Sequence, residues 1–214
     1  MAFPPLLVGI AGGSGSGKTS LIRAVRGSFP EGSVSVVSQD DYYHPQERQA
    51  RDGNGWVNYD LPTAVDLDAF SSDLAQLKAG RSIRRMEYTF NNADRVPGWV
   101  ETRPAPIVLV EGLFVLHHTP MREAFDLRVF VDAHEDTQLA RRLRRDRDER
   151  GYGEHEVRYQ WENHVLPAYR SYLKPYRGHC ELHIDNEGAF STAVERLRDR
   201  LGAYVNVPLA VQSL

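Results

Sequence analysis

The sequence predicts an α/β domain with a largely parallel sheet, and three observations carry that prediction. Short apolar strands alternate with longer segments of helical period along the 214-residue chain. Directly after the first strand, Gly12-Gly13-Ser14-Gly15-Ser16-Gly17-Lys18-Thr19 fits G-x-x-x-x-G-K-[ST] at every fixed position. A later apolar strand, Ile107-Val108-Leu109-Val110, ends in one acid and a glycine, Glu111-Gly112.

The elements follow in order. Strand Leu6–Ala11 feeds the glycine-rich turn, and a helix follows with Leu21, Ile22 and Val25 on one face and Gly27 as its stop. This strand–turn–helix order aims backbone N–H groups and the positive helix end at one point. Polyphosphate fits there: Lys18 reaches the β/γ-phosphates and the Thr19 hydroxyl can hold Mg²⁺. The bland reading is a flexible Gly/Ser linker, but a linker would not sit between a buried strand and a helix.

The second strand, Val34–Ser38, runs into Gln39-Asp40-Asp41-Tyr42-Tyr43. Ligands of open α/β sheets bind outside the carboxyl ends of the strands, which sets Asp40 beside the phosphate loop. A carboxylate there can orient an acceptor hydroxyl and take its proton. Asp41 reads as a cap or turn residue. Further on, Val57-Asn58-Tyr59-Asp60-Leu61-Pro62 pairs an aromatic with an acid, which suits a ribose; it also reads as a turn before Pro62.

Leu67–Ala79 has helical period through Leu67, Phe70, Leu74 and Leu77, and stops at Gly80. Residues 82–103 look like a hairpin insertion, with turn formers Asn91-Asn92 and Pro97-Gly98. Its Tyr88 and Phe90 line a base pocket or form hairpin core. Glu111, at the end of the third strand of the main sheet, is Walker-B-like: a buried strand delivers one carboxylate to the metal side of the triphosphate. The fourth strand is Leu127–Val131. A helix over Thr137–Arg150, starting after Asp136 and ending at Gly151, carries six arginines in residues 141–150. Arg142, Arg145 and Arg150 can reach a ligand and neutralise a transferring phosphoryl group. A solvated, salt-bridged helix and a nucleic-acid patch are the competing readings, and the interleaved Asp146, Asp148 and Glu149 oppose the second. The last strand, Leu182–Ile184, precedes a helix over Ala189–Leu201 with Phe190, Val194, Leu197 and Leu201 on one face.

Composition narrows the class. Hydrophobic residues make up 41% and charged residues 26%, as in a soluble globular protein, and the length suits one domain, 1–214. No apolar run approaches the ~20 residues of a membrane span, and the N-terminus lacks a signal-peptide pattern. The single cysteine, Cys180, excludes an internal disulfide, suits a reducing cytoplasm, and reads as a small hydrophobe. A net charge of −3 gives no global attraction to nucleic acid. The eight histidines show no metal-ligand spacing, and His117-His118 reads as a solvated loop pair. A GTPase-type switch, the alternative of another class, would want an N-K-x-D motif; with lysines only at 18, 78 and 174, none exists.

In order and spacing, Gly12–Thr19, Ser38–Tyr43, Tyr59–Asp60, Glu111-Gly112, Phe130-Val131-Asp132 and Arg141–Gly151 resemble the uridine–cytidine kinases, a branch of the P-loop kinases. That group also contains phosphoribulokinases and nicotinamide riboside kinases. The likeness runs from about Val8 to about Glu187, and the R-R-x-x-R-D-x-x-E-R-G lid pattern is matched at Arg141–Gly151. It implies a P-loop NTPase fold of kinase type: a five-stranded parallel sheet in the order 2-3-1-4-5, a β-hairpin, and a helical Arg-rich lid over 137–153. It implies ATP as donor, bound by Gly12–Thr19 and Arg142, with Mg²⁺ among Thr19, Glu111 and Asp40. Asp40 would be the base for a ribose 5′-hydroxyl, with Lys18, Arg145 and Arg150 assisting. Tyr59, Asp60, Tyr88, Phe90, Tyr152 and Gln160 would face the acceptor, and the adenine would lie near Asp185–Gly188.

Two positions depart from that pattern. Family members carry a histidine five residues after the Tyr88 position and an arginine two after the Arg150 position. Here these are Ala93 and Tyr152. Both lost groups are hydrogen-bonding ones, so phosphoryl chemistry on ATP is better supported than uridine as acceptor. The Asp52-Gly53…Tyr59-Asp60 spacing also resembles nicotinamide riboside kinases, which keeps another ribosyl or sugar-like alcohol open as acceptor. The family often forms homo-oligomers, although no seam separable from core is visible in the sequence.

Overall fold

The computed structural model describes residues 4–90 and 95–204. Among them run seven strands: β1 (Leu6–Ala11), β2 (Val34–Ser38), β3 (Ile83–Met86), β4 (Trp99–Thr102), β5 (Ile107–Gly112), β6 (Leu127–Asp132) and β7 (Leu182–Asp185). Five form one parallel sheet in the order β2-β5-β1-β6-β7, the topology the resemblance implies. β3 and β4 pair antiparallel as a separate hairpin, as the turn-rich 82–103 segment predicts.

Burial on both faces explains the near-continuous apolar runs of the central strands. Neighbouring residues on a strand point to opposite faces, and the core divides accordingly. Leu7, Val108 and Phe130 pack with Phe70, Leu74 and Phe114 on one side. Val8, Leu109 and Val129 pack with Leu21, Val25 and Leu197 on the other. Each such side chain, fully withdrawn from water, contributes about 1.5–3 kcal/mol.

The helices are α1 (Lys18–Gly27), α2 (Leu67–Lys78), α3 (Thr119–Ala124), α4 (Glu135–Arg150), α5 (Glu154–Gln160), α6 (Leu166–Ala168) and α7 (Phe190–Gly202). Asp66 caps α2 by accepting the Ala69 N–H at 2.9 Å. Two π turns, Trp161–Val165 and Tyr169–Leu173, make residues 154–173 one continuous helical stretch. The first ends two residues before Pro167, whose ring would meet the carbonyl four residues back in a regular helix. No described helix is long and apolar enough to cross a membrane.

Three expectations need correction. α4 begins at Glu135, two residues earlier than predicted, because its start is held from a distance: the Glu187 carboxylate accepts the His134 N–H at 2.6 Å and the Thr137 hydroxyl at 3.0 Å. Phe190 is 42% exposed and lines a cavity, while Ala193, Leu197 and Leu201 make the buried face of α7. The His117-His118 pair is docked, since the His117 ring packs edge-on against Tyr172 and Tyr176.

Register sets the site. Ala11 pairs with Gly112 and Ser38 with Glu111, so β1, β2 and β5 end together at one edge. The loops leaving β1 and β2 carry the phosphate motif and Asp40, and Glu111 is the second-to-last residue of β5 itself.

Candidate functional site

The loop between β1 and α1 forms a cradle with no room for side chains at its glycines. Gly15 and Gly17 adopt φ of 79° and 92°, the left-handed region that favours glycine. A Cβ on Gly15 would run into the Gln138 carbonyl, and one on Gly17 into the Asn186 amide. Lys18 donates from Nζ to the carbonyls of Gly12 at 2.8 Å and Gly13 at 3.2 Å, which folds the ammonium back over the loop. Ser16 Oγ is buried without a partner. A buried hydroxyl in want of a partner, backbone N–H groups at a helix start and a lysine together fit a polyphosphate.

Two carboxylates face that lysine. Asp40 follows β2, and Glu111, next to the last residue of β5, accepts from Ser38 Oγ at 3.1 Å. Burial and the neighbouring Asp40 push Glu111 up to about 7, against the pull of Lys18. Burial raises Asp40 as well, opposed by Lys18, Arg150 and Arg145. Burial in turn lowers Lys18, while both carboxylates hold it up. Two acids that resist ionising side by side are poised for a cation. No described cluster of three or more His, Cys, Asp or Glu could hold a metal alone. A divalent cation here would have the two carboxylates and the Thr19 hydroxyl as its protein donors, oxygen ligands of the kind that suit Mg²⁺.

The arginine-rich helix lies across the cradle. The structure brings Arg142, Arg145 and Arg150 into the cavity wall and decides against a purely solvated helix. They converge on Asp146, whose side chain is wholly buried: Arg145 Nε donates at 2.8 Å, with Arg150 at 3.4 Å and Arg142 at 3.2 Å. Arg142 also donates to Ser14 Oγ at 3.0 Å and Gln160 Oε1 at 2.9 Å, linking phosphate loop, α4 and α5. Arg141 turns the other way and donates to the Asn186 carbonyl at 2.9 Å.

At the far end of the same cavity, of about 500 Å³, Tyr43, Tyr59, Tyr88 and Phe90 bring their rings together. Tyr43 stands 5.4 Å from Tyr88 and 5.9 Å from Tyr59 between ring centroids, and the Arg150 guanidinium lies 4.2 Å over Phe90. Asp60 is buried among them, raised by burial and held back by Arg142 and then His164. Gln160 and Tyr152 complete this end. Every predicted site residue among Ser14, Gly15, Gly17–Thr19, Asp40, Tyr59, Asp60, Tyr88, Phe90, Glu111, Arg142, Arg145, Arg150, Tyr152 and Gln160 lines one cavity. Gly12, Gly13 and Ser16 are buried in the same loop and do not line the cavity. Ala93 lies outside the described residues.

Sequence reasoning missed several residues. Asp41 is no turn cap: it accepts from Arg85 Nε and Nη2 at 3.0 and 2.9 Å and from the Tyr88 N–H at 3.3 Å, which fastens the hairpin. Tyr43 has its hydroxyl pushed well above its ordinary value by burial and by Asp40 and Asp60, so it remains a donor beside both. Asn186 donates to the Ser16 carbonyl at 2.8 Å. His164, 2% exposed, lines the cavity next to Asp60.

The model of the "Phosphoribulokinase / Uridine kinase family" matches residues 7–193. The chain belongs to that family. It is 32% identical over 198 residues to a uridine kinase of Brevibacillus brevis, covering 92% of each chain. It is 31% identical to a uridine kinase of Clostridium perfringens, covering 94% of this chain and 98% of that one. Solved structures similar in fold include a "Possible Uridine Kinase" from Bacillus stearothermophilus, with TM-score 0.59 and 19% identity over 86% of this chain and 91% of that one. Another is a D-glycerate 3-kinase from Cryptococcus neoformans, with TM-score 0.56 and 18% identity over 78% of each. The fold is that of the P-loop kinases, and the family's chemistry is phosphotransfer.

Proposed function

We propose that this protein transfers the γ-phosphoryl group of ATP to the 5′-hydroxyl of a ribonucleoside, with Mg²⁺ held by Thr19, Glu111 and Asp40. One observation carries the reading: a phosphate cradle and a buried carboxylate–aromatic pocket open into the same cavity, with Asp40 among the residues that line it. The names of the curated relatives, uridine kinases, point to the same acceptor class.

Bound Mg²⁺ supplies charge neutralisation on the phosphate oxygens. Around it, the loop N–H groups and Lys18 hold the donor, and α4 acts as a lid whose arginines face charge that develops during transfer. Asp40 orients the attacking hydroxyl and accepts its proton. Its raised proton affinity makes it a better base than an exposed aspartate. Asp60 accepts from a ribose hydroxyl, and the aromatic rings pack the base. Tyr152, in place of the family arginine, offers a hydroxyl and a ring rather than a guanidinium fork, which favours a second acceptor such as nicotinamide riboside.

ADP release measured with uridine, cytidine, nicotinamide riboside and no acceptor tests the reading. Acceptor-dependent turnover is expected. Turnover indifferent to every acceptor would favour a nucleotide-dependent switch instead.

A further inference from the structure

The acceptor loop, the connection between β2 and α2 that carries Asp52, Tyr59 and Asp60, is clasped to the first π turn by one carboxylate. Asp52 Oδ1 accepts the N–H groups of Asn54 and Trp56, each at 2.9 Å, and Oδ2 accepts the Tyr159 hydroxyl at 2.7 Å. His164 Nε2 lies 2.8 Å from the same Oδ2. These bonds, that of Tyr159 foremost, hold the Asp52 carboxyl well below the usual range. An ionised carboxylate only accepts, so the proton between the two residues sits on Nε2. In the neutral ring, the tautomer is thereby fixed, and Nδ1 carries the lone pair.

That lone pair has no partner among the described residues. Nor is Nδ1 a sealed, orphaned atom of the interior. The ring lines the cavity that holds Asp60 and lies near enough that its protonated form pulls the Asp60 carboxyl down; the neutral ring is the form that presents the Nδ1 lone pair there. Two hydrogen-bond acceptors, one carboxylate and one imidazole nitrogen, thus share the acceptor end. A ligand that satisfies both must bring two donors close together.

We propose that His164 is an acceptor-binding residue, with Nδ1 accepting one hydroxyl of a vicinal diol while Asp60 accepts the other. The proposal rests on the ribosyl-acceptor reading above and narrows it to acceptors with an intact 2′,3′-diol. A 2′-deoxy compound leaves one acceptor desolvated and unpaired, which is the condition under which sites discriminate strongly. Asp52 is a positioning residue: it chooses which ring nitrogen is left for the ligand.

The test separates binding from tethering. His164→Gln keeps a donor near the Nε2 position and loses the acceptor at Nδ1; His164→Asn keeps an acceptor near Nδ1 and loses the bond to Asp52. The readout is the ratio of kcat/KM for uridine over 2′-deoxyuridine, and for nicotinamide riboside over its 2′-deoxy form, with the KM for ATP alongside. We expect His164→Gln to lower the ratio at least tenfold with the KM for ATP unchanged, and His164→Asn to retain most of it. The reverse order, or a ratio that neither variant moves, would overturn the proposal and leave His164 a tether. Should either variant fail to fold, ¹⁵N-histidine spectra of the wild-type protein decide: the Nδ1 resonance should shift with the ribo acceptor and stay with the 2′-deoxy one, and an unmoved resonance overturns the idea. Absence of wild-type turnover with any ribosyl acceptor is a different result, since it removes the parent reading as well.

Discussion

Arg85 grips Asp41 through two guanidinium nitrogens, at 3.0 and 2.9 Å, and so ties the β3–β4 hairpin to the residue next to Asp40. The pair is largely buried, with 8% and 16% of the two side chains exposed. Removing one partner leaves the other charge uncompensated, which costs about 3 kcal/mol or more. Asp41→Ala should therefore lower Tm and raise the KM for the acceptor several-fold, because Arg85 and the Tyr88 N–H lose the carboxylate they share, while the KM for ATP holds. Equal rises in both KM values would show that the hairpin does not serve the acceptor side specifically.

Lys18→Ala removes the ammonium folded over the phosphate loop. Turnover should fall by about a hundredfold or more, because electrostatic stabilisation of the transferring group is usually the largest catalytic contribution. Circular dichroism should remain that of the native fold. A variant with ordinary kcat would place the phosphates elsewhere.

Asp40→Asn preserves shape and removes proton affinity. We expect kcat to drop by roughly 10²–10⁴, the usual range for loss of a general base, with much less effect on ATP binding. Binding of a non-hydrolysable ATP analogue, measured by calorimetry, separates the two effects. A near-normal kcat would leave Asp40 as a turn residue.

Glu111 gives the metal-free protein a pH signature. Its carboxyl titrates near 4.5 in the unfolded chain and is pushed up to about 7 in the fold. Between those values the folded state holds a proton that the unfolded state has released, so stability falls as pH rises through the window and stays lower above it. Glu111→Gln should match wild type in Tm near pH 4.5 and exceed it at pH 8 in the absence of metal. Added Mg²⁺ should raise Tm more for the wild type than for the variant. Identical curves for both proteins from pH 5 to pH 8 would contradict the assignment.

Tyr152 and Ala93 bear on the acceptor. Ala93→His with Tyr152→Arg should raise kcat/KM for uridine by about tenfold or more, if each regained hydrogen bond contributes ~1 kcal/mol. High uridine efficiency in the wild type, with no gain in the double variant, would count against any role for these positions in acceptor choice.

What the sequence disclosed best was local. The phosphate loop, the strand-end acids and the arginine run are contiguous signals, and the parallel sheet follows from the spacing of apolar strands. Pairings across long stretches of chain were not legible. Asp41 and Arg85 lie 44 residues apart and meet only because the hairpin folds back. Phe190 fits the helical period of α7, yet it stands at the first residue of the helix and lines the cavity instead of joining the core. His164 escaped because a π turn breaks the 3.6-residue period on which face assignment depends.

Those two π turns carry a consequence for how the molecule tolerates change in length. Each absorbs an additional residue, which in a regular helix would rotate everything downstream by roughly 100°. Deleting one residue from 161–165 would restore ordinary helical winding and cost little backbone bonding, yet it would swing Tyr169 away from Asp132, whose carboxylate its hydroxyl reaches at 3.3 Å. The stretch thus behaves as a vernier between two sites. The first turn sets the angle at which His164 meets the acceptor loop, and the second sets how the chain returns to the end of β6. Lengthening or shortening it is a way to retune one end of the cavity against the other without altering any residue that touches a ligand.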